Sequence, residues 1–300
     1  MTAETVSLFI NPTAGRGRAG RRLPRVEEIL QRSNIDYSLY QSRAVGDLEE
    51  QVRVQALEGA RNIIVAGGDG SIHEAVNGML RADRSGRRLG VIPTGTGNDF
   101  AKACGISLDW EETAGDLARR LVAGASSRRI DVGRMNDRYF ANGAGVGFDA
   151  KVTYVARSYR WPIGDLVYLL AIFRCMVDGI ATPEIVISAD DFTWNGAVTL
   201  ANISNGPWIG GMFHIAPMAN NDDGALELLI ADPVSRTRIC GLLPKLIRGT
   251  HLRAPEITHR RVRRVLIEAS SPVPSHLDGE VGEPGTRFDI EVLPGALEMI

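Results

Sequence analysis

The chain has 300 residues, of which 44% are hydrophobic and 23% charged, as in a globular protein rather than a disordered one. This length favours two domains over one compact core. The formal net charge of −2 argues against a protein that binds nucleic acid through a broadly basic surface.

The cysteines and the apolar stretches indicate the compartment. Cys104, Cys175 and Cys240 stand far apart without a C-x-x-C pair, so we expect reduced thiols rather than disulfides or a zinc site. The first eleven residues lack the basic and apolar regions of a signal peptide. The apolar stretch at residues 166–176 contains Arg174 and is too short to span a bilayer. We therefore expect a cytoplasmic protein that contacts membranes peripherally.

Residues 1–130 alternate short apolar strands with helical patterns. The predicted strands are residues 6–10, 37–40, 63–66 and 89–92, and the predicted helices are residues 23–30, 47–57, 71–80 and 98–104. Such alternation is typical of a parallel sheet covered by helices. We therefore predict an α/β domain over residues 1–130.

Residues 131–292 show mostly strand patterns and few helical ones. Short strand patterns occur at residues 139–148, 184–189, 197–204, 226–231, 263–268 and 288–292. The one clear late helix is predicted at residues 235–248, with few helices elsewhere. We predict a mainly antiparallel, β-sandwich-like second domain.

The sequence Gly67-Gly68-Asp69-Gly70 stands between a predicted strand and a predicted helix. Glycines let the backbone approach a phosphate, and the helix N-terminus offers free N–H groups. A carboxylate in a phosphate cradle requires a cation, so Asp69 implies Mg²⁺. The alternative is an ordinary strand-to-helix turn in which Asp69 favours the helix dipole.

A second turn of this kind runs from Thr94 through Gly95 and Thr96 to Asn98 and Asp99. Alone, Asn98 or Asp99 is most often a helix cap. Ligands of such sheets bind at the carboxyl ends of the strands, so two consecutive turns favour a binding site. A third carboxylate, Asp131, lies where the two domains are expected to meet.

Residues 15–20 spell G-R-G-R-A-G, which matches the dinucleotide fingerprint. Four residues separate this run from the strand, however, and the second strand ends in Gln41-Ser42 without an acidic residue for a ribose. Arg16, Arg18, Arg21 and Arg22 instead favour contacts with a polyphosphate or an anionic headgroup. A solvated basic helix start is the plainer alternative.

Two late segments carry carboxylates. Asp223-Gly224 precedes an apolar strand and is an ordinary hairpin signal. Asp278-Gly279-Glu280 could supply a general base, and a plain turn fits it equally well. The five histidines show no metal-ligand spacing, which argues against zinc.

In their order along the chain these segments resemble the diacylglycerol kinase catalytic-domain family, in particular the soluble bacterial lipid kinases. The resemblance rests on N-P-x-A-G-x-G from Asn11, G-G-D-G-S from Gly67, P-x-G-T-G-N-D-F-A from Pro93, N-G-x-G-x-G-F-D from Asn142 and D-G-E from Asp278. G-G-D-G is shared with NAD kinases and phosphofructokinases, whereas the segment from Pro93 and the late D-G-E are more particular to lipid kinases.

The resemblance implies an α/β nucleotide domain and a β-sandwich domain with the active site in the cleft, and a tail of residues 293–300 that returns to the first domain. It implies ATP and Mg²⁺ as cofactors. The implied nucleotide contacts are Asn11, Arg16, Ser42, Gly67, Gly68, Gly70, Glu74, Thr94, Gly95, Thr96 and Asn98. The implied Mg²⁺ network is Asp69, Asp99 and Asp131.

The resemblance also implies catalytic roles. Glu280 would be the base for the lipid hydroxyl, with Asp278 beside it and Asp69 at the phosphates. A separate structural metal loop would use Asn220, Asp223 and Ala225.

The implied function is ATP- and Mg²⁺-dependent phosphorylation of a lipid hydroxyl, with diacylglycerol as the favoured substrate and phosphatidic acid as the product. An NAD or sugar-phosphate kinase and a non-catalytic lipid- or nucleotide-binding regulator stay open as alternatives.

The expected partner is a lipid substrate at the membrane surface, with no nucleic acid, and a homodimer is left open. The predicted docking surface is residues 151–160 with Trp161 and residues 166–170, and a second basic candidate is Arg260, Arg261, Arg263 and Arg264.

Overall fold

The computed structural model describes residues 6–83, 85–159 and 164–300. The chain divides into two compact units. Unit 1 comprises the described residues up to Ile130 together with Gly295–Ile300, and unit 2 comprises Asp131–Pro294.

Unit 1 contains a parallel sheet with the strand order β2-β1-β3-β4. Its strands are β1 (Val6–Ile10), β2 (Tyr37–Gln41), β3 (Asn62–Gly67) and β4 (Arg88–Pro93). Its helices are α1 (Ala14–Arg32), α2 (Asp47–Leu57), α3 (Asp69–Arg81), α4 (Asp99–Ala103) and α5 (Trp110–Val122). Strands β1 and β3 are buried along their whole length, as expected for a sheet covered on both faces. The predicted α/β fold is confirmed.

Helix α5 is not among the predicted helices. Its buried face consists of small residues and one leucine, namely Thr113, Ala114, Leu117 and Ala118. The carboxylate of Asp109 accepts hydrogen bonds from the N–H groups of Glu111 and Glu112 and so caps the helix. Both the cap and an amphipathic pattern, with Trp110, Leu117 and Leu121 toward the core, stand in the sequence, so this helix could have been predicted.

The carboxyl ends of the four strands lie at one edge of the sheet of unit 1. Ile10 is in register with Gln41 and Ala66, and Gly67 is in register with Pro93. The turns that follow the four strands therefore begin at this edge, which is where ligands of parallel sheets bind. Near the opposite end, the C-terminal residues Glu298 and Met299 pair in parallel with Arg88 and Leu89 of β4.

Unit 2 is mainly antiparallel. Its strands are β5 (Arg128–Met135), β6 (Arg138–Phe140), β7 (Gly143–Gly147), β8 (Glu184–Ala189), β9 (Phe192–Ala197), β10 (Leu200–Ser204), β11 (Leu226–Ala231), β12 (Ile257–Val262), β13 (Arg264–Val273), β14 (Ser275–Leu277), β15 (Glu280–Val281) and the first part of β16 (Gly285–Met299). One sheet has the order β12-β11-β10-β7-β14-β15, and a second contains β16-β13-β8-β9. Buried side chains from both sheets, such as Ile203 and Ile267, share one core. The sandwich-like prediction is confirmed.

Unit 2 also has more helices than predicted. They are α6 (Phe148–Ser158), α7 (Leu166–Asp178), α8 (Arg236–Ile247) and a short 3₁₀ helix (His251–Arg253). The expectation of a strand over residues 139–148 was wrong, because β6 and β7 divide it and α6 begins at its end. Gly147, with φ +104°, turns the chain from β7 into α6, a conformation that favours glycine.

Among the described residues, the helices are all too short or too polar to cross a membrane.

Candidate active site

Three turns meet at the carboxyl edge of the sheet of unit 1 with their backbones in contact. A Cβ on Gly15 would lie 2.3 Å from the carbonyl oxygen of Thr94, and a Cβ on Gly95 would lie 2.5 Å from the Cα of Gly68. The nitrogen of Thr94 also donates to the carbonyl of Gly67 at 2.9 Å. Only glycine allows this close approach, so the glycines of the three predicted motifs hold one composite loop cluster.

Arg18 ties the first turn to the third. Its Nε donates to the carbonyl of Gly15 at 3.0 Å, and its Nη2 donates to the carbonyl of Gly95 at 2.9 Å and to Thr96 Oγ1 at 3.1 Å. The turn itself is tight, since Gly15, Arg16 and Gly17 all have left-handed φ values. Arg18 therefore has a structural role that the sequence pattern did not distinguish from phosphate binding.

The first turns of helix α1 carry four arginines, Arg16, Arg18, Arg21 and Arg22. The guanidinium of Arg22 lies over the ring of Trp110, 5.0 Å from its centroid. Burial, followed by the neighbouring charges of Arg18 and Arg21, lowers the pKa of Arg22 from the ordinary arginine value. Mutually repelling guanidinium groups are relieved by an anion, which suits a polyphosphate ligand.

Two buried polar atoms in the loop cluster have no hydrogen-bond partner in the described part of the chain. They are Oγ1 of Thr94 and Oδ1 of Asn98. The backbone of Asn98 has a left-handed conformation, with φ +52°. Its Nδ2 donates a hydrogen bond to the carbonyl of Gly95 at 3.3 Å. Because buried polar groups are nearly always satisfied, these atoms indicate a site for a polar ligand.

The other predicted nucleotide residues take local roles at the same edge. Asn11 Oδ1 accepts hydrogen bonds from the nitrogen and hydroxyl of Thr13 at 3.0 and 2.7 Å. The nitrogen of Ser42 donates to the carbonyl of Ile10 at 2.9 Å, and Gly70 stands in the first turn of α3. These contacts hold the loops in place, and contact with a nucleotide stays a prediction for each residue.

Glu74 has a capping role. Its carboxylate accepts hydrogen bonds from the backbone nitrogens of Leu48 and Glu49, at 3.0 and 3.2 Å. A negative charge at the start of α2 is favourable for that helix. The contact between Glu74 and a nucleotide, which the family resemblance implies, also stays a prediction.

The predicted Mg²⁺ carboxylates divide between the units. In unit 1, Asp69 Oδ1 accepts a hydrogen bond from the nitrogen of Phe100 at 3.0 Å, and Asp99 is paired with Lys102 at 3.0 Å. In unit 2, Asp131 Oδ2 accepts a hydrogen bond from the nitrogen of Gly224 at 2.6 Å. No three His, Cys, Asp or Glu side chains in the described ranges are grouped to hold a metal by themselves. The carboxylates of Asp69 and Asp99 are oxygen donors of the kind that Mg²⁺ binds together with phosphate and water, and the Mg²⁺ site stays a prediction.

In unit 2 the segment that carries the predicted base, Glu280, is a β-hairpin with a two-residue turn. Leu277 of β14 pairs with Glu280 of β15, and the turn residues Asp278 and Gly279 have φ values of +51° and +85°. Positive φ at both central positions is the favoured hairpin geometry. The carboxylate of Asp278 accepts hydrogen bonds from three consecutive nitrogens, those of Ala141, Asn142 and Gly143, at 2.9, 2.8 and 3.0 Å. Asp278 therefore fixes the hairpin.

Glu280 follows the turn and is partly exposed. Its carboxylate forms an ion pair with Arg157 of α6, which also donates to the carbonyl of Gly279 at 3.2 Å. Arg157 belongs to the predicted membrane-docking surface over residues 151–160. Nothing in the linear sequence connects two residues so far apart, so this partnership was not predictable from motifs.

An apolar cavity lies among the helices of unit 2. The space between its walls, counted together with the solvent at its open mouth, is about 980 Å³. Helices α6, α7 and α8 and strands β10 and β11 contribute side chains such as Val152, Ile172 and Leu243. The polar exceptions are Asp149, Thr153, Tyr168, Thr199 and His251. Tyr168 connects the cavity to the hairpin, since a Cβ on Gly279 would lie 3.9 Å from its hydroxyl.

The predicted structural metal loop at Asn220, Asp223 and Ala225 is closed by protein groups. Arg261 Nη2 lies 2.9 Å from the carboxylate of Asp223 and donates to its carbonyl at 3.1 Å. The nitrogen of Ala225 donates to the same carboxylate at 3.2 Å. Oxygens that a cation would need already have donors in this arrangement, and the structural metal stays a prediction.

Comparison with known proteins gives the same two-part division. Residues 5–135 match the family model of the diacylglycerol kinase catalytic domain. Residues 143–300 match that of the YegS C-terminal NAD kinase beta sandwich-like domain.

Relatives match over most of their length. A diacylglycerol kinase of Bacillus subtilis (strain 168) is 32% identical over 276 residues, which cover 92% of this chain and 89% of the relative. A diacylglycerol kinase of Mycobacterium tuberculosis is 29% identical over 311 residues, covering 98% and 94%. The crystal structure of a diacylglycerol kinase from Bacillus anthracis shares the fold, with a TM-score of 0.74 at 22% identity and coverage of 100% and 97%. On these grounds the chain belongs to the diacylglycerol kinase catalytic-domain family, as the motifs indicated.

Proposed function

We propose that this chain transfers the terminal phosphoryl group of ATP to the hydroxyl of a lipid alcohol, with diacylglycerol as the favoured acceptor. The observation that carries the proposal is the apolar cavity of unit 2. Two of its lining residues, Asp149 and Tyr168, adjoin the hairpin that bears Glu280. An acyl chain in the cavity would bring its head group toward a carboxylate that can act as a base.

The loop cluster of unit 1 supports the phosphate half of the reaction. It combines close-packed glycines, unpartnered polar atoms on Thr94 and Asn98, and a crowded set of arginines. Phosphoryl transfer depends mainly on positioning and on neutralising phosphate charge. Mg²⁺ held at Asp69 and Asp99 would supply part of that neutralisation when bound.

The cavity favours a lipid over the alternative acceptors. NAD and sugar phosphates need several polar partners, whereas the cavity walls are almost entirely apolar side chains. Each methylene group that an acyl chain buries contributes roughly 0.8 kcal/mol. The cavity therefore supports a lipid kinase rather than an NAD or sugar-phosphate kinase.

Glu280 is the proposed general base. It would accept the proton of the attacking hydroxyl, a role worth roughly 10²–10⁴-fold in rate. Its partial exposure leaves it accessible to a substrate, and the hairpin geometry fixes its backbone. Asp278 contributes by holding the turn.

A membrane surface is the proposed source of the substrate. Leu166, Leu170, Phe173 and Val177 follow one face of α7 and are exposed. The stripe is about 16 Å long at the helical rise per residue. The other face of α7 lines the cavity through Tyr168 and Ile172. We propose that this exposed stripe contacts the lipid surface.

The basic residues of the predicted membrane-docking surface support membrane contact less well than the apolar stripe does. Arg160 and Trp161 lie outside the described residues. Arg157 is paired with Glu280, and Lys151 Nζ donates to the carbonyl of Gly179 at 2.9 Å. In the second basic candidate, Arg260 lies over the ring of Phe192. The apolar stripe is therefore the stronger basis for membrane contact.

The experiment is a phosphotransfer assay with labelled ATP against diacylglycerol, monoacylglycerol, ceramide, NAD and a sugar phosphate. We expect turnover with diacylglycerol and none with NAD or the sugar phosphate. A cavity variant, Leu243→Trp, should raise KM for the lipid and leave KM for ATP unchanged. Ile247→Trp, one turn further along α8 and outside the cavity lining, is the matched control. Turnover of NAD alone, or equal KM effects of both tryptophans, would overturn the proposal.

A further inference from the structure

Three residues lie side by side on adjacent strands of the six-stranded sheet of unit 2. Gly145 of β7 is in register with Asn202 of β10 on one side and with His276 of β14 on the other. A Cβ on Gly145 would lie 2.0 Å from Asp149 Oδ2 and 2.5 Å from His276 Nε2. The missing side chain thus makes the space in which the carboxylate of Asp149 reaches the ring of His276.

The imidazole is buried and the carboxylate is partly buried, with 2% and 12% of their side chains exposed. Asp149 Oδ2 lies 3.5 Å from His276 Nε2 and 3.4 Å from Asn202 Nδ2, and Asp149 Oδ1 accepts a hydrogen bond from the nitrogen of Ala150 at 2.8 Å. The separation from Nε2 is at the limit of a hydrogen bond. The carboxylate can therefore approach the ring by a small movement.

The other ring nitrogen contacts the hairpin. His276 Nδ1 accepts a hydrogen bond from the backbone nitrogen of Gly279 at 3.4 Å. An Nδ1 that accepts must be unprotonated, so the neutral ring carries its proton on Nε2, which faces Asp149. The tautomer that Asp149 favours is therefore the one that can hold Gly279, the residue before Glu280.

We propose that Asp149 and His276 form a positioning pair that sets the orientation of Glu280. Asp149 selects the tautomer of His276, and His276 holds the peptide of Gly279. Asp278 fixes one side of the turn through Ala141, Asn142 and Gly143, and His276 fixes the other. This inference rests on the proposed role of Glu280 as the base, and it assigns neither Asp149 nor His276 a proton of the substrate.

The Asp149–His276 pair is better explained by a role in positioning Glu280 than by a contribution to the stability of the fold. Burying a carboxylate costs free energy that one long contact and two hydrogen bonds offset only partly. An apolar pair in the same space would avoid that cost. A small displacement of a catalytic group, by contrast, is expensive in rate.

The test uses two substitutions of His276 that keep different atoms. In His276→Asn the amide oxygen can replace Nδ1 as the acceptor for Gly279, whereas His276→Gln places its amide near the position of Nε2 and leaves Gly279 without an acceptor. We expect His276→Asn to keep kcat within a few-fold and His276→Gln to lose roughly 10- to 100-fold, with KM for ATP unchanged. Both variants should lose similar thermal stability, because both shorten or remove the buried ring.

Asp149→Asn supplies a second readout. An amide facing Nε2 can donate to it and so favour the wrong tautomer, as an equivalent change does in the serine-protease triad. Nitrogen-15 shifts of the His276 ring should show protonated Nε2 in the wild type and protonated Nδ1 in Asp149→Asn. Protonated Nδ1 in the wild type, or full kcat in His276→Gln, would overturn the positioning pair. If instead Glu280→Gln keeps full activity, the proposed base fails, while the nitrogen-15 result still decides the tautomer claim.

Discussion

Arg157 of α6 pairs with the carboxylate of Glu280 in the hairpin of β14 and β15. The same guanidinium donates to the carbonyl of Gly279, so it holds both the side chain and the backbone of the turn. The pair is partly exposed, and such pairs are worth no more than about 1 kcal/mol. A pair this weak can open at little cost, which would leave Glu280 available to act as the proposed base.

The first prediction concerns the base. Glu280→Gln should lose roughly 10²–10⁴-fold in kcat, because the amide cannot accept the hydroxyl proton. The affinity for ATP should not change, since the contribution of Glu280 is made in the chemical step. Single-turnover kinetics and ATP titration separate the two quantities.

Glu283→Gln, in the loop that follows β15, is a control for the loss of one negative charge nearby. It should retain kcat. A fall in ATP affinity that matches the fall in turnover of Glu280→Gln would make Glu280 a nucleotide ligand or a structural residue.

The second prediction concerns the phosphate site. Asp69→Asn keeps an oxygen that can accept the hydrogen bond from the nitrogen of Phe100, so the start of α4 should stay intact. It removes the charge that would help to hold Mg²⁺, and turnover should fall on the order of 100-fold or more. Turnover across a Mg²⁺ titration, with circular dichroism for the fold, measures both effects.

The matched control is Asp116→Asn on α5, an exposed carboxylate paired with Arg119. It changes the charge of unit 1 equally and should leave turnover unchanged. A folded Asp69→Asn protein with near-normal turnover would remove Asp69 from the metal site.

The loops of unit 1 were predictable because each motif is local. A strand, a glycine turn and a helix start stand within about ten residues of one another, and parallel packing brings such turns to one edge. What Arg18 and Glu74 contact was not predictable, since both bridge separate motifs.

In unit 2 most of the site depends on long-range register. Asn202, Gly145 and His276 meet only because three antiparallel strands align, and the cavity draws on helices and strands from the whole unit. Helices α6 and α7 were missed for a different reason. The pattern of strand β7 runs directly into Phe148 at the start of α6, and the almost continuous apolarity of α7 conceals the helical period on which prediction depends.

The third prediction concerns the loop closed by Arg261. Arg261→Gln leaves Asp223 without its cation, at a cost of up to about 1 kcal/mol for a partly exposed pair. A metal ion can then replace the guanidinium, so the thermal midpoint of the variant should rise with added Mg²⁺ and fall with EDTA. The wild type should respond less. An equal response of both proteins to Mg²⁺ and EDTA would show that the loop binds metal beside Arg261, as the sequence analysis predicted.

The last prediction concerns the exposed stripe on α7. Phe173→Ser/Val177→Ser removes two large apolar side chains that contribute little to the core, since 44% and 73% of their surfaces are exposed. Full burial of such a side chain is worth roughly 1.5–3 kcal/mol, so partial insertion of two should account for at least about tenfold in vesicle affinity. Co-sedimentation with vesicles that contain diacylglycerol measures the loss. Activity toward a short-chain, water-soluble diacylglycerol should be retained, because the cavity face of α7 is unchanged.

Leu108→Ser/Val122→Ser, a change of two similarly exposed residues of unit 1, is the control and should bind vesicles like the wild type. Because the proposed contact is apolar, salt should weaken binding little. If the α7 variant binds vesicles normally but changes oligomeric state in light scattering, the stripe joins two copies of the chain and the proposed membrane contact is wrong.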